Sequence, residues 1–101
     1  MLAAFSVTPL GGDASVGDVV AEVVQLVRES GLDNQTDAMF TTVEGEPQEV
    51  FELLQRCVTH VERYAPRVSM VVKIDHRPGY HGDLTRKVER VERSIAEGTA
   101  G

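Results

Sequence analysis

Hydroxyl and carboxyl side chains recur at alternate positions of three predicted strands. Thr42 and Glu44 belong to one of them, in the stretch 41–54 (TTVEGEPQEVFELL), where strand-type residues run into a glycine and then a helix start. Hydroxyls could hydrogen-bond a polar heteroaromatic ring, and a carboxylate could hold a cation. Side chains two apart on a strand share a face. That rule assigns one face to Ser6, Thr8, Thr42, Glu44, Ser69, Lys73 and Asp75.

Seven predicted elements position these side chains. Period-two alternation and turn residues predict strands at 2–8, 34–38, 39–44 and 68–75, the second being a weak edge strand. Helical spacing predicts helices that begin at the N-cap Ser15, at Pro47 and before Leu84. This order predicts an α+β ferredoxin-like plait (βαββαβ), with two helices on one face of an antiparallel four-stranded sheet and an added C-terminal helix. We expect one domain over 1–97 and a frayed tail at 98–101.

The polar face admits two interpretations. It could be a ligand site, or it could be a solvated or subunit-facing surface on which Glu44 and Lys73 simply form an ion pair. Because the strands are antiparallel, Thr8 lies near the starts of the other two strands, and Asp75 lies near Leu2. The polar residues could therefore form two separate groups on this face, one at each end of the strands, and not a single pocket.

Composition disfavours several classes of function. With 10 basic and 16 acidic residues, the net charge is −6, which disfavours nucleic acid and anionic membrane surfaces as partners. The single Cys57 predicts a reducing compartment, most simply the cytoplasm, and its place on an apolar stripe predicts a core residue. His76 and His81 match no zinc spacing, so no metal site is predicted. No nucleophile–base arrangement supports an enzyme.

Short motifs along nearly the whole chain resemble those of the YkoF-like thiamine-binding family. Their order and spacing are more specific than any one of them. They are Ser6-Val7-Thr8-Pro9-Leu10-Gly11, Ser30-Gly31-Leu32, Met39-Phe40-Thr41-Thr42-Val43-Glu44-Gly45, Glu49-Val50, Arg67-Val68, Lys73-Ile74-Asp75-His76-Arg77 and Lys87-Val88.

The resemblance implies non-catalytic binding of thiamine or its hydroxymethylpyrimidine moiety, linked in some members to precursor uptake. It also implies dimers or tetramers that associate through their sheets, and we expect a tetramer. On this reading Ser6, Thr8, Thr42 and Ser69 serve the ring, Glu44 or Asp75 serves an amino group or the cation, and Lys73 orients a carboxylate.

The chain departs from the family pattern at two positions. Phe40 stands where a glycine is usual, so it would narrow a pocket or line it as a stacking platform, and His76 stands where a second acid is frequent. The competing functions are a structural or regulatory homo-oligomer without a thiamine ligand and an enzyme acting on such a ring. A ligand-sized pocket would distinguish a ligand-binding protein from a homo-oligomer without a ligand. Turnover of the ligand would identify an enzyme.

Overall fold

The computed structural model describes residues 1–98, and the predicted order of elements is confirmed within them. Residues 99–101, most of the predicted tail, lie outside the described residues. The elements are β1 (Leu2–Leu10), α1 (Val16–Glu29), β2 (Asp33–Thr36), β3 (Thr41–Glu44), α2 (Pro47–Val61), β4 (Arg67–Asp75) and α3 (Asp83–Ala96). They form the predicted ferredoxin-like plait with an added C-terminal helix.

The strands form one antiparallel sheet in the order β2-β3-β1-β4. β1 pairs with β4 along its whole length, from Leu2 opposite Asp75 to Leu10 opposite Arg67. Its pairing with β3 is shorter and ends where Phe5 lies opposite Thr41. The later part of β1 therefore has a strand on one side only.

Two helices cover one face of this sheet. α1 buries Val19, Val23 and Val27, which recur at the four-residue spacing of one helix face. The buried residues of α2 pack into the same hydrophobic core. Phe5 of β1 and Val43 of β3 enter this core from the sheet. The predicted faces of β1 and β3 are thus confirmed, because their alternation leaves the neighbouring polar residues on the opposite side.

The ends of α1 and α2 are set by local residues. Glu46 and Glu49 form a reciprocal capping box at the start of α2, and Pro47 occupies its first turn. Gly31 follows α1 with a positive φ of 84°, as expected for a C′ glycine. Ser15 is the N-cap of α1, as predicted, but its side chain makes no capping hydrogen bond.

The predicted boundaries of β2 and β3 were wrong by a few residues. Residues 37–40 form a turn instead of extending the strands, because Asp37 Oδ1 accepts hydrogen bonds from the backbone N–H groups of Met39 (2.8 Å) and Phe40 (2.9 Å). β1 in turn continues past its predicted end at Thr8. Pro9 is tolerated there because β3 has already ended, so no strand on that side needs its missing N–H.

α3 lies apart from this core. None of its residues is buried, and its apolar stripe remains largely in solvent: Val88, Val91 and Ile95 are 56–60% exposed. The radius of gyration is 15.8 Å, against about 13 Å for a compact domain of this size. The first turns of α3 contact β3 and β2, and Lys87 of α3 pairs with Asp75 of β4.

Candidate functional site

The polar face of the sheet is arranged in rows. Residues directly opposite in antiparallel strands share a face, so Ala4 lies between Thr42 and Lys73 in one row. Leu2 lies between Glu44 and Asp75 in the next row, and Thr8 lies opposite Ser69 far along β1. Six residues of strand separate Leu2 from Thr8, which corresponds to about 20 Å. A small ligand cannot contact both ends, so the predicted face is divided into two regions.

Glu44 is almost fully buried, with 9% of its surface exposed, and it contacts α3. Its Oε2 accepts a hydrogen bond from the backbone N–H of Asp83 (2.9 Å), and its Oε1 accepts one from Leu84 (3.3 Å). The residue at the N-cap position of α3 is Gly82, which has no side chain to satisfy these N–H groups. Glu44 therefore caps α3 from the end of a distant strand. That role explains a carboxylate at this position.

Asp75 is paired with Lys87 of α3. This hydrogen bond, reinforced by the lysine charge, lowers the pKa of Asp75 and raises the pKa of Lys87. We predicted that Lys73 would orient a carboxylate. The lysine that pairs with Asp75 is instead Lys87, which lies on α3 and therefore could not be found from the alternation of residues along the strands.

Lys73 instead lines an open depression of about 520 Å³. We call it the face trough, and it is lined by Leu2, Ala4, Thr42, Lys73, Ile74, Asp75 and Lys87.

A second cavity lies at the edge of the sheet, where β3 ends and β1 continues. This edge pocket has a volume of about 210 Å³. Its walls are residues 5–8 of β1, residues 36–41 of the β2–β3 hairpin, and Val20, Val23 and Val24 of α1. The free side of β1 forms part of the wall, and a free strand edge carries alternating backbone N–H and C=O groups. The pocket thus combines apolar side chains with backbone hydrogen-bonding groups, as small-molecule sites do.

Asp37 supplies the charge at this pocket. The backbone N–H groups of Phe40 and Met39 hold its pKa below its usual range, so the carboxylate is ionised at neutral pH. Beside it, the side chains of Met39 and Phe40 are exposed, to 73% and 36%. These two side chains form an apolar rim next to a fixed negative charge.

The eight predicted ligand residues fall into four sets. The edge pocket includes Ser6, Thr8 and Phe40. The face trough includes Thr42, Lys73 and Asp75. Glu44 caps α3, and Ser69 lies opposite Thr8 and lines neither cavity.

Asp37, Thr36, Thr41 and the valines of α1 were missed. An aspartate two and three residues before Met39 and Phe40 is the signature of an Asx turn, and that signal could have identified the hairpin.

Three other ionisable side chains, those of Cys57, Tyr64 and His60, lie in or beside the helix layer. Cys57 is buried in the core as predicted, and burial raises its pKa to about 11. Tyr64 donates a hydrogen bond to Glu22 (2.9 Å) between the α2 end and α1, and His60 lies 3.5 Å from the same carboxylate.

Within residues 1–98, no group of three His, Cys, Asp or Glu side chains could hold a metal ion, and no helix is both long and apolar enough to cross a membrane.

Comparisons with known proteins agree with this fold. A family model described as thiamine-binding protein matches residues 3–92. The UPF0045 protein Mb1933 of Mycobacterium bovis is 54% identical over 96 residues, which cover 94% of each chain. A solved domain of unknown function DUF77 from Bacillus cereus superposes with a TM-score of 0.79 at 30% identity, covering 88% of this chain and 86% of that one.

A more distant solved structure shares the fold. It is a Thermotoga maritima protein provisionally assigned to thiamine biosynthesis or salvage, with a TM-score of 0.78 at 22% identity, covering 89% of this chain and 96% of that one. The family match spans nearly all of β1 through α3, and it includes every residue of the edge pocket and all of the face trough except Leu2. The chain therefore belongs to the thiamine-binding protein family, UPF0045.

Proposed function

We propose that this protein binds thiamine or its hydroxymethylpyrimidine moiety without turning it over, and that the pyrimidine ring occupies the edge pocket. The observation that carries the proposal is the free side of β1 within an apolar-walled cavity. An aminopyrimidine presents an N–H donor beside a ring nitrogen acceptor. A strand edge offers the complementary pair of backbone groups, as it would to another strand.

The volume of the edge pocket favours one ring over a whole cofactor. At about 210 Å³ it lies below the common range of drug-sized sites, which begins at about 300 Å³. The valines of α1 would contact the faces and methyl group of a pyrimidine, while the thiazolium ring of thiamine would extend toward the rim. Phe40 at that rim takes the role of a stacking platform, one of the two roles expected for it.

Charge supports the edge pocket over the face trough. The thiazolium ring is a permanent cation, and the Asp37 carboxylate at the rim of the edge pocket would attract it. The face trough has two lysines, Lys73 and Lys87, and only one carboxylate, Asp75, which is already paired with Lys87. A cation in the face trough would meet net repulsion.

Cytoplasmic location and a tetrameric state stay predictions.

The test is calorimetric titration with thiamine and, in parallel, with hydroxymethylpyrimidine, which lacks the cation. Asp37→Asn keeps the Oδ1 acceptor of the turn but removes the charge. We expect it to weaken thiamine by about three- to fivefold, as for an exposed charge pair, and to leave hydroxymethylpyrimidine unchanged. Val24→Phe fills the cavity and should abolish binding of both compounds.

Thr42→Val is the matched control, because Thr42 lines the face trough and not the edge pocket. Weaker binding in Thr42→Val with unchanged binding in Val24→Phe would move the site to the face trough. No heat with either compound, from protein shown to be folded, would refute the function and favour a structural or regulatory homo-oligomer. Recovery of the ligand unchanged after incubation distinguishes binding from an enzyme.

A further inference from the structure

A small cleft lies where the end of β4 meets the first turns of α3. We call it the cationic cleft, and its volume is about 200 Å³. It is lined by four basic and two acidic side chains, those of Asp75, Arg77, Asp83, Arg86, Lys87 and Arg90. None of these residues lines the edge pocket, so the cleft is separate from the proposed pyrimidine site.

The helical spacing of α3 explains why its charged side chains converge here. Arg86, Lys87 and Arg90 follow Asp83 by three, four and seven residues, which places all four on one face of the helix. The apolar stripe of α3 occupies a different face. The ion pair between Lys87 and Asp75 holds the charged face beside the end of β4. The cleft is therefore formed by one helix face and one strand end.

Arg77 reaches the cleft from the loop that follows β4. Its guanidinium group lies over the Tyr80 ring, 3.3 Å from the ring centroid. The backbone N–H of Tyr80 also donates a hydrogen bond to the Arg77 carbonyl oxygen (3.1 Å), and Gly79 between them has a φ of 82°, which favours glycine. A guanidinium group that stacks on a ring keeps the N–H donors at its edge free for an anion.

The charges of the cationic cleft leave a positive excess. The Lys87–Asp75 pair is neutral overall, and the three arginines of the cleft form no ion pair within residues 1–98. Asp83 offsets one of their three charges, so two positive charges remain. The protein has a net charge of −6, yet six of its ten basic residues lie within 73–93. Two converging positive charges complement a phosphate dianion.

The cationic cleft adjoins the face trough. Asp75 and Lys87 line both cavities. Beyond this shared pair the trough offers uncharged contacts, including Leu2, Ala4 and Ile74, and Ile74 is 40% exposed. One molecule can therefore place an anionic group in the cleft and an uncharged body in the trough.

We propose that the cationic cleft binds the phosphate group of a small organic phosphate, and that the rest of this molecule lies in the face trough. Arg77, Arg86 and Arg90 contact the phosphate oxygens, since guanidinium groups bind phosphate through paired N–H donors. The first N–H groups of α3 do not take part, because Glu44 already accepts their hydrogen bonds. The proposal does not depend on thiamine binding in the edge pocket.

NMR titration of the full chain at constant pH and ionic strength tests the site, with inorganic phosphate and phenyl phosphate as probes. We expect saturable shifts of the amide signals of residues 75–90. Phenyl phosphate should bind at least about fivefold more tightly, because its ring gains the trough. Equal affinities would overturn the organic phosphate as the ligand. Shifts that do not saturate, or that spread over the whole surface, would overturn the site.

A pair of arginine variants separates the cleft from the general field of α3. Arg86→Gln removes a charge that lines the cleft, and Arg93→Gln is the matched control, because Arg93 lies on the same helix outside the cleft. We expect phosphate binding to weaken about five- to tenfold in Arg86→Gln and less than about twofold in Arg93→Gln. Equal weakening would show that only net charge matters and would overturn the site.

Two further variants test the charge balance and the trough. Asp83→Asn removes the offsetting carboxylate, so both probes should bind more tightly, and weaker binding would contradict the proposed charge balance. Ala4→Phe places a ring in the face trough, so phenyl phosphate should lose its advantage while inorganic phosphate binds as before. An unchanged advantage would overturn the trough as the site of the organic body. No readout uses thiamine, so failure of the proposed function would not alter these results.

Discussion

Replacing Glu44 tests whether this carboxylate holds α3 on the sheet. Glu44→Ala removes both acceptors for the Asp83 and Leu84 N–H groups, and Gly82 cannot replace them. Loss of an N-cap costs about 0.5–2 kcal/mol, and a hydrogen bond to a charged group contributes about 1.5–3 kcal/mol. Because one of the two bonds is long, at 3.3 Å, we expect a total near 2 kcal/mol. Glu44→Gln keeps one acceptor oxygen, so about half that effect is expected.

The effect should be local, because α3 has no buried residue that couples it to the core. Hydrogen exchange followed by mass spectrometry should show amides of α3 exchanging about 30-fold faster in Glu44→Ala, with the core strands unchanged. Glu46→Ala is the control, since Glu46 caps α2 and its loss should affect α2 alone. Unchanged protection of α3 in Glu44→Ala would refute the capping role. A large loss of thiamine affinity with unchanged protection would restore the ligand role first predicted for Glu44.

Two further predictions concern the backbone and the core. Gly12→Ala should destabilise the fold by at least about 2 kcal/mol, measured by urea unfolding, because the residue has a φ of 96° and a Cβ there would lie 2.5 Å from the Tyr64 carbonyl oxygen. Gly79→Ala, with a φ of 82° but nothing within 4 Å, should have a smaller effect, and equal effects would contradict the clash. Cys57, with a pKa raised to about 11, should be alkylated by iodoacetamide at pH 8 at least about 100-fold more slowly than in the unfolded chain. Rapid alkylation of the folded protein would show that the thiol is accessible.

Local patterns were enough to predict the elements and their faces. Val19, Val23 and Val27 repeat at the spacing of one helix face, and alternation along β1 separates Phe5 and Val7 from Ser6 and Thr8. These periods depend on residues close in the chain, so they can be recognised without knowing what packs against them. The family motifs are similarly local, and the family that they indicate is confirmed over residues 3–92. Boundaries at the 37–40 turn failed because two hydrogen bonds accepted by one side chain, that of Asp37, decide them, and not a period.

The candidate site depended on the tertiary structure. Alternation correctly placed Thr8 and Asp75 on one face, but strand register shows that they lie at opposite ends of it. Asp37 became a candidate only when the hairpin brought it to the free edge of β1.

For the same reason the function of Glu44 could not be assigned from its position on a strand. Its partners are 39 and 40 residues away, and they are N–H groups that every helix start leaves unsatisfied. The sequence by itself determined which side chains share a face, because that follows from the geometry of one strand. Only the packing of α3 against β3 and the early end of β3 beside β1 decided which of those side chains are already engaged and where a cavity remains open.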